Sequence, residues 1–158
     1  MARPGFYMHV DGFEGFDRAV DFDKKEIRKA MRKAGARVAK ASRRLVSKGE
    51  RSAPGDYPGR KTGRLAKSIK AKVSRSGFLV RIEPKTGSGI PASEPYYAYL
   101  FYGVRRGAKR RTDHKAQTAS GPWRIKPRRN YMVDALEAES GAVRADLSDA
   151  LAKALRVK

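Results

Sequence analysis

Ile27, Met31, Ala34, Val38, Ala41 and Leu45 recur at steps of four, three, four, three and four. That spacing is the period of an α-helix with one apolar stripe, and it constrains the fold more than any other stretch of this chain. Asp23 followed by Glu26 reads as a capping box, because a short side-chain oxygen can satisfy the free N–H groups of a first turn. Gly49 supplies a stop, so the helix is expected over residues 24–48. Bases such as Arg28, Arg32, Arg37 and Arg44 fill the other faces. Gly35, inside the helix, costs about 1 kcal/mol against alanine and marks close packing by a neighbour.

A second stripe, Met132, Leu136, Val143, Leu147, Leu151 and Leu155, predicts another long helix from about Asn130, interrupted at Gly141. Between the helices the period changes. Ile69, Ala71 and Val73, then Phe78, Val80 and Ile82, alternate around Ser76-Gly77, the pattern of a β-hairpin. Thr62 is a candidate N-cap for a short turn in which Leu65 and Ile69 face the core together. Phe6 to Val10 reads as a short strand beside the hairpin. Tyr96 to Gly103 is the densest aromatic cluster, and periodicity over eight residues does not separate strand from helix there. The expected architecture is α+β, a single domain over residues 1–158 with two long helices packed on a small antiparallel sheet. A flexible basic loop is expected at about 104–122.

Charge is concentrated. The net charge is +21, and residues 24–48 and 103–129 carry almost all of it, at +10 and +9. Six acids, Asp11, Glu14, Asp17, Asp21, Asp23 and Glu26, lie just ahead of or within the start of the first basic element. Such a balance predicts a polyanionic partner, an acidic protein partner, or both. The absence of cysteine excludes disulfides, thiol nucleophiles and cysteine metal sites, and two histidines exclude a His-rich one. The sequence holds no phosphate-binding glycine loop, no zinc-type histidine pair and no nucleophile elbow. The N-terminal acids lack the spacing of a calcium loop and read as surface charge. No apolar run approaches the roughly 18 residues of a membrane span, and the first ten residues are too polar for a signal peptide. A soluble, intracellular non-enzyme without cofactor or metal is expected.

Several motifs then fall in order: Val10-Asp11-Gly12-Phe13, Ser52-Ala53-Pro54, Thr62-Gly63-Arg64-Leu65 with Ser68-Ile69, and the hairpin. Tyr97-Ala98-Tyr99-Leu100 and Tyr102-Gly103 follow, then Pro127-Arg128-Arg129-Asn130-Tyr131-Met132 running into the last helix. This series resembles the tail-component family of tailed bacteriophages, the neck or tail-completion proteins, over nearly the whole chain. It departs from the family where an acid before the glycine is replaced by Phe101-Tyr102, and where the segment between Gly103 and Pro127 is long and basic. The resemblance implies a structural virion protein at the head–tail junction, present in the host cytoplasm during assembly. It implies a homo-oligomeric ring of roughly six or twelve subunits that contacts the head connector and the tail-terminator or tail-tube proteins. Phage DNA would pass through its channel.

Within that plan, Arg105, Arg106, Lys109, Arg110, Arg111 and Lys115 suit either DNA phosphates or an acidic neighbour. Arg28 and Arg32 lie on a helix face suited to a partner, although exposed lysines and arginines are commonly just solvated. Tyr97, Leu100 and Phe101 are expected in the core. Tyr96, Tyr99 and Tyr102 are candidates for a subunit interface, where tyrosine is enriched, or for stacking on single-stranded bases. Trp123 reads as a packing anchor that ends the basic loop. The competing reading of the whole chain is a stand-alone, sequence-nonspecific nucleic-acid-binding protein.

Overall fold

The computed structural model describes residues 6–9, 20–46, 49, 52–87, 90, 96–107 and 121–157. The central element is α1 (Lys24–Leu45), whose stripe is buried as the spacing requires: Ile27, Met31, Ala34 and Val38 have almost no exposed surface. The Asp23 carboxylate accepts from the Lys25 N–H at 2.9 Å, closing the helix N-terminus. The helix stops at Leu45, three residues before the expected end, with Val46 buried as the cap.

One face of α1 lies on a three-stranded antiparallel sheet in the order β1–β4–β3, made of β1 (Phe6–His9), β3 (Ile69–Val73) and β4 (Leu79–Pro84). The hairpin register pairs Ala71 with Ile82 and Val73 with Val80, and β1 pairs with the other side of β4, Met8 opposite Val80. Gly35 is where helix and sheet touch. A β-carbon there would lie 2.7 Å from Val80 Cγ1 and 3.1 Å from the Ala71 Cβ, so the glycine is required by the approach of the sheet. The short helix α2 (Arg64–Ser68) leads into β3 and buries Leu65 beside Ile69. Its N-cap is Gly63, not Thr62. The cap residue sits at φ 71°, a left-handed conformation that glycine adopts without strain.

The second long helix, α4 (Tyr131–Ala154), is capped by the Asn130 side chain, which accepts from the Met132 and Val133 N–H groups. It runs unbroken through Gly141, because one glycine costs about 1 kcal/mol while the flanking turns hold. It packs along α1 and not on the sheet, which corrects the expectation that both helices cover it. The strands β2 (Val20–Phe22) and β7 (Leu155–Val157) pair antiparallel just before α1 and just after α4, and the Asp23 N–H donates to the Ala154 carbonyl at 2.9 Å. This ladder holds the helices antiparallel. It also takes Leu155 out of the stripe, leaving it 47% exposed.

The aromatic cluster is a helix, α3 (Tyr96–Tyr102). The basic segment after it begins as a strand and not a loop: β5 (Val104–Arg105) pairs with β6 (Trp123–Ile125). Residues 108–120 lie outside the described residues, and so do Asp11, Glu14 and Asp17.

Candidate functional site

The bases of α1 divide into two sets. Those facing α4 are neutralised: Lys33 and Arg37 meet Asp146 at 3.1 Å each, and Arg37 reaches Glu139 at 3.7 Å. These two cations hold the Asp146 carboxyl below its ordinary range, Lys33 most of all. The other set turns toward β3. Arg28 donates to the Arg75 carbonyl, and its aliphatic stem packs against Gly77 in the hairpin turn. Arg32 is exposed one turn further along. Among the described residues no ion pair engages Arg28, Arg32, Lys70, Lys72 or Arg75.

Arg28 and Arg32 form one wall of an open groove of about 620 Å³, and Ala71, Lys72, Val73, Ser74 and Arg75 form the other. Ala71 is therefore exposed although it lies on the helix-facing side of β3, where alternation places it in the core. The groove is the strongest unneutralised positive surface among the described residues. Sequence reasoning found its helical half in Arg28 and Arg32 but missed Lys72 and Arg75. Only the packing of β3 alongside α1 brings them together.

Of the second set of candidates, two are described. Arg105 Nη1 donates to the Gly121 carbonyl at 3.2 Å, and its guanidinium lies 4.1 Å over the Trp123 ring. Trp123 is thus the anchor its position suggests. Arg106 is exposed, with its backbone N–H on the Pro122 carbonyl at 2.9 Å. The β5–β6 pair carries these two arginines at the root of the basic segment. Lys109, Arg110, Arg111 and Lys115 lie outside the described residues.

The tyrosine candidates sit on α3, where Tyr96, Tyr99 and Tyr102 are half-buried. Burial raises the Tyr96 phenol above its ordinary value, and nearby Arg64 partly offsets this. Phe101 departs from expectation. It is 37% exposed, packed edge-on against Tyr102, and Ala98 takes the buried position instead.

The motifs behind the family resemblance meet at one joint. The Gly55 N–H donates to the Pro127 carbonyl, the Arg129 N–H to the Asp56 carbonyl, and the Arg128 N–H to the Leu100 carbonyl. Asp134 locks this joint, accepting from the Tyr57 hydroxyl at 2.7 Å and from Arg129 Nε at 2.6 Å. The Tyr57 bond, followed by Arg129, lowers the Asp134 carboxyl below its ordinary range. Gly103 turns the chain at φ 71°, where a β-carbon would lie 2.7 Å from Trp123 and 2.8 Å from the Ile125 carbonyl. Tyr131 is buried beneath, which drives its phenol far above the ordinary value. These motif residues build the fold, and the unneutralised cations lie elsewhere.

Among the described residues no group of three acidic or histidine side chains could hold a metal, and no helix is long and apolar enough to cross a membrane. A small α+β platform with its positive charge gathered on two surfaces is the construction of a scaffold that meets charged partners.

Residues 15–103 match the family described as “Bacteriophage HK97-gp10, putative tail-component”. The match covers more than half of the chain, and the chain belongs to that family of phage tail components. It runs from ahead of α1 to Gly103, so α4 and the basic segment stand outside it, and the shared region is shorter than the motif order suggests. No curated protein and no solved structure matches the chain.

Proposed function

We propose that this protein is a non-enzymatic structural subunit of the phage head–tail junction. Roughly six or twelve copies close into a ring around the DNA channel, between the head connector and the tail-terminator or tail-tube proteins. The observation that carries this reading is the partition of charge. The α4 side of α1 is neutralised by Glu139 and Asp146, whereas the β3 side and the β5–β6 root leave their arginines and lysines without acidic partners among the described residues. A closed ring needs two different surfaces per subunit, one for the neighbour and one for the lumen. The groove beside β3 supplies the first. The Arg105–Arg106 root, leading into the basic segment, supplies the second, since cationic side chains meet phosphates without reading sequence.

Quantitative mass spectrometry of purified virions tests this. About six or twelve copies per particle is the expected result, and absence from mature particles would overturn it. The stand-alone nucleic-acid-binding reading is favoured only by the net charge of +21. It requires tight binding of free duplex with a steep salt dependence, whereas a ring subunit binds free DNA weakly before assembly.

A further inference from the structure

The groove beside β3 is also a free sheet edge. Hydrogen bonds from the Ser74 N–H to the Leu79 carbonyl and from the Lys85 N–H to the Ser68 carbonyl bracket the hairpin ladder at even-numbered residues of the first strand. In an antiparallel pair the bonded positions alternate, so Lys70 and Lys72 bond to β4. The backbone groups of Ile69, Ala71 and Val73 therefore point away from the sheet. Arg43 covers the Ile69 carbonyl at 2.6 Å. Ala71 and Val73 present theirs to the groove, beside Arg28 and Arg32.

An unpaired edge offers backbone hydrogen bonds to any extended segment, and the flanking charge decides which segment is admitted. Lys70, Lys72, Arg75, Arg28 and Arg32 repel a basic segment and attract an acidic one. Most acids of the described part are engaged at home. Asp134 holds Tyr57 and Arg129, Glu139 and Asp146 hold Arg37 and Lys33, Glu83 faces Arg81, and Asp23 caps α1. Glu137 and Asp149 lie on α4, and a helix cannot hydrogen-bond along a sheet edge. The acid-dense stretch that remains is Asp11-Gly12-Phe13-Glu14-Gly15-Phe16-Asp17. It follows β1, which is the edge opposite β3 in the same sheet.

We propose that residues 11–17 of one copy dock along the β3 edge of the next, with Asp11, Glu14 and Asp17 against the arginines and lysines of the groove. Opposite edges of one sheet make a head-to-tail contact, the kind that a closed ring repeats. The inference rests on the ring reading and names its interface.

The chain has no cysteine, so single cysteines can report the contact without background. Full-length Glu14→Cys protein is mixed with Lys72→Cys protein under a mild oxidant, and light scattering follows assembly in the same sample. Ser148→Cys, exposed on the outer face of α4, replaces Lys72→Cys in the control. The expected result is at least about tenfold more mixed disulfide dimer than the control gives, the effect of a high local concentration. Arg32→Asp should remove most of this excess without shifting the melting temperature. A closed oligomer without the excess overturns the docking and leaves the ring reading standing. The excess in open chains supports the docking and removes the ring. A disulfide found only within single chains that carry both cysteines puts the segment on its own groove and overturns the proposal. So does loss of the excess when duplex DNA is added, which would give the groove to DNA.

Discussion

At the scale of single residues, two helical glycines make opposite demands. Gly35 faces Val80 and Ala71 across the closest approach of α1 to the sheet, whereas a β-carbon at Gly141 would meet open space. Gly141→Ala should therefore stabilise the protein by up to about 1 kcal/mol through helix propensity alone. Gly35→Ala gains the same propensity but presses a methyl against buried, β-branched Val80, and overpacking of this kind outweighs the gain, for a net loss of about 1–2 kcal/mol. Urea denaturation of the two variants checks both signs, and midpoints moving in the same direction would mean that α1 sits further from the sheet. Gly103→Ala should cost more, on the order of 2–3 kcal/mol, because left-handed backbone strain adds to the clash with Trp123 and the Ile125 carbonyl. Gly35 was legible in the sequence, as a glycine with no other reason to sit inside an amphipathic helix. Gly63 was not, because Thr62 beside it carries the side chain that caps helices and nothing local reveals a positive φ.

At the scale of elements, what was legible follows the reach of the signal. α1 and the β3–β4 hairpin declare themselves by period, and both formed close to the expected bounds. The ladders β2–β7 and β5–β6 did not, since strands of two or three residues have no period and their partners lie far along the chain. The placement of α4 was misread because its leucines report only that one face is buried. Whether they bury against sheet or helix is decided elsewhere, by Lys33 and Arg37 on one helix and Glu139 and Asp146 on the other. The joint of the Pro54 loop, α3 and the start of α4 was invisible as a unit, though each motif was read, and Asp134 closes it. Its carboxyl is held below the ordinary value near 3.8 by Tyr57 and Arg129. A carboxyl depressed on folding contributes stability above its unfolded value, and that contribution is lost as pH falls through the folded one. Asp134→Asn should thus lower the thermal midpoint at neutral pH, and the gap from the parent protein should narrow below about pH 4 and close in stronger acid. Melting curves from pH 7 down to about pH 2 measure this. A gap that stays constant with pH would mean that the bond from Tyr57 matters and the charge does not.

At the scale of the whole molecule, the net charge of +21 was read correctly as two concentrations, but its use depends on what each is mounted on. The α1 cations belong to a rigid face shared with β3. The other concentration springs from a strand pair in which Arg105 is stacked on Trp123 and bonded to Gly121, so Arg105 supports the fold as well as carrying charge. A test of what the basic segment meets must leave Arg105 in place. Changing Arg106, Lys109, Arg110, Arg111 and Lys115 to glutamine removes five positive charges and no described side-chain contact, since Arg106 is tied through its backbone. The melting temperature should stay within about 2 °C of the parent, as for surface substitutions generally. Binding to duplex DNA, measured by anisotropy over a series of salt concentrations, should respond strongly. Each phosphate contact contributes about 0.9 to the slope of log K against log salt, so the slope should fall by as much as about 4 if most of these cations face DNA. An unchanged slope, with copies still assembling into virions, would assign the segment to an acidic neighbour in the junction, leaving the channel lined by other residues.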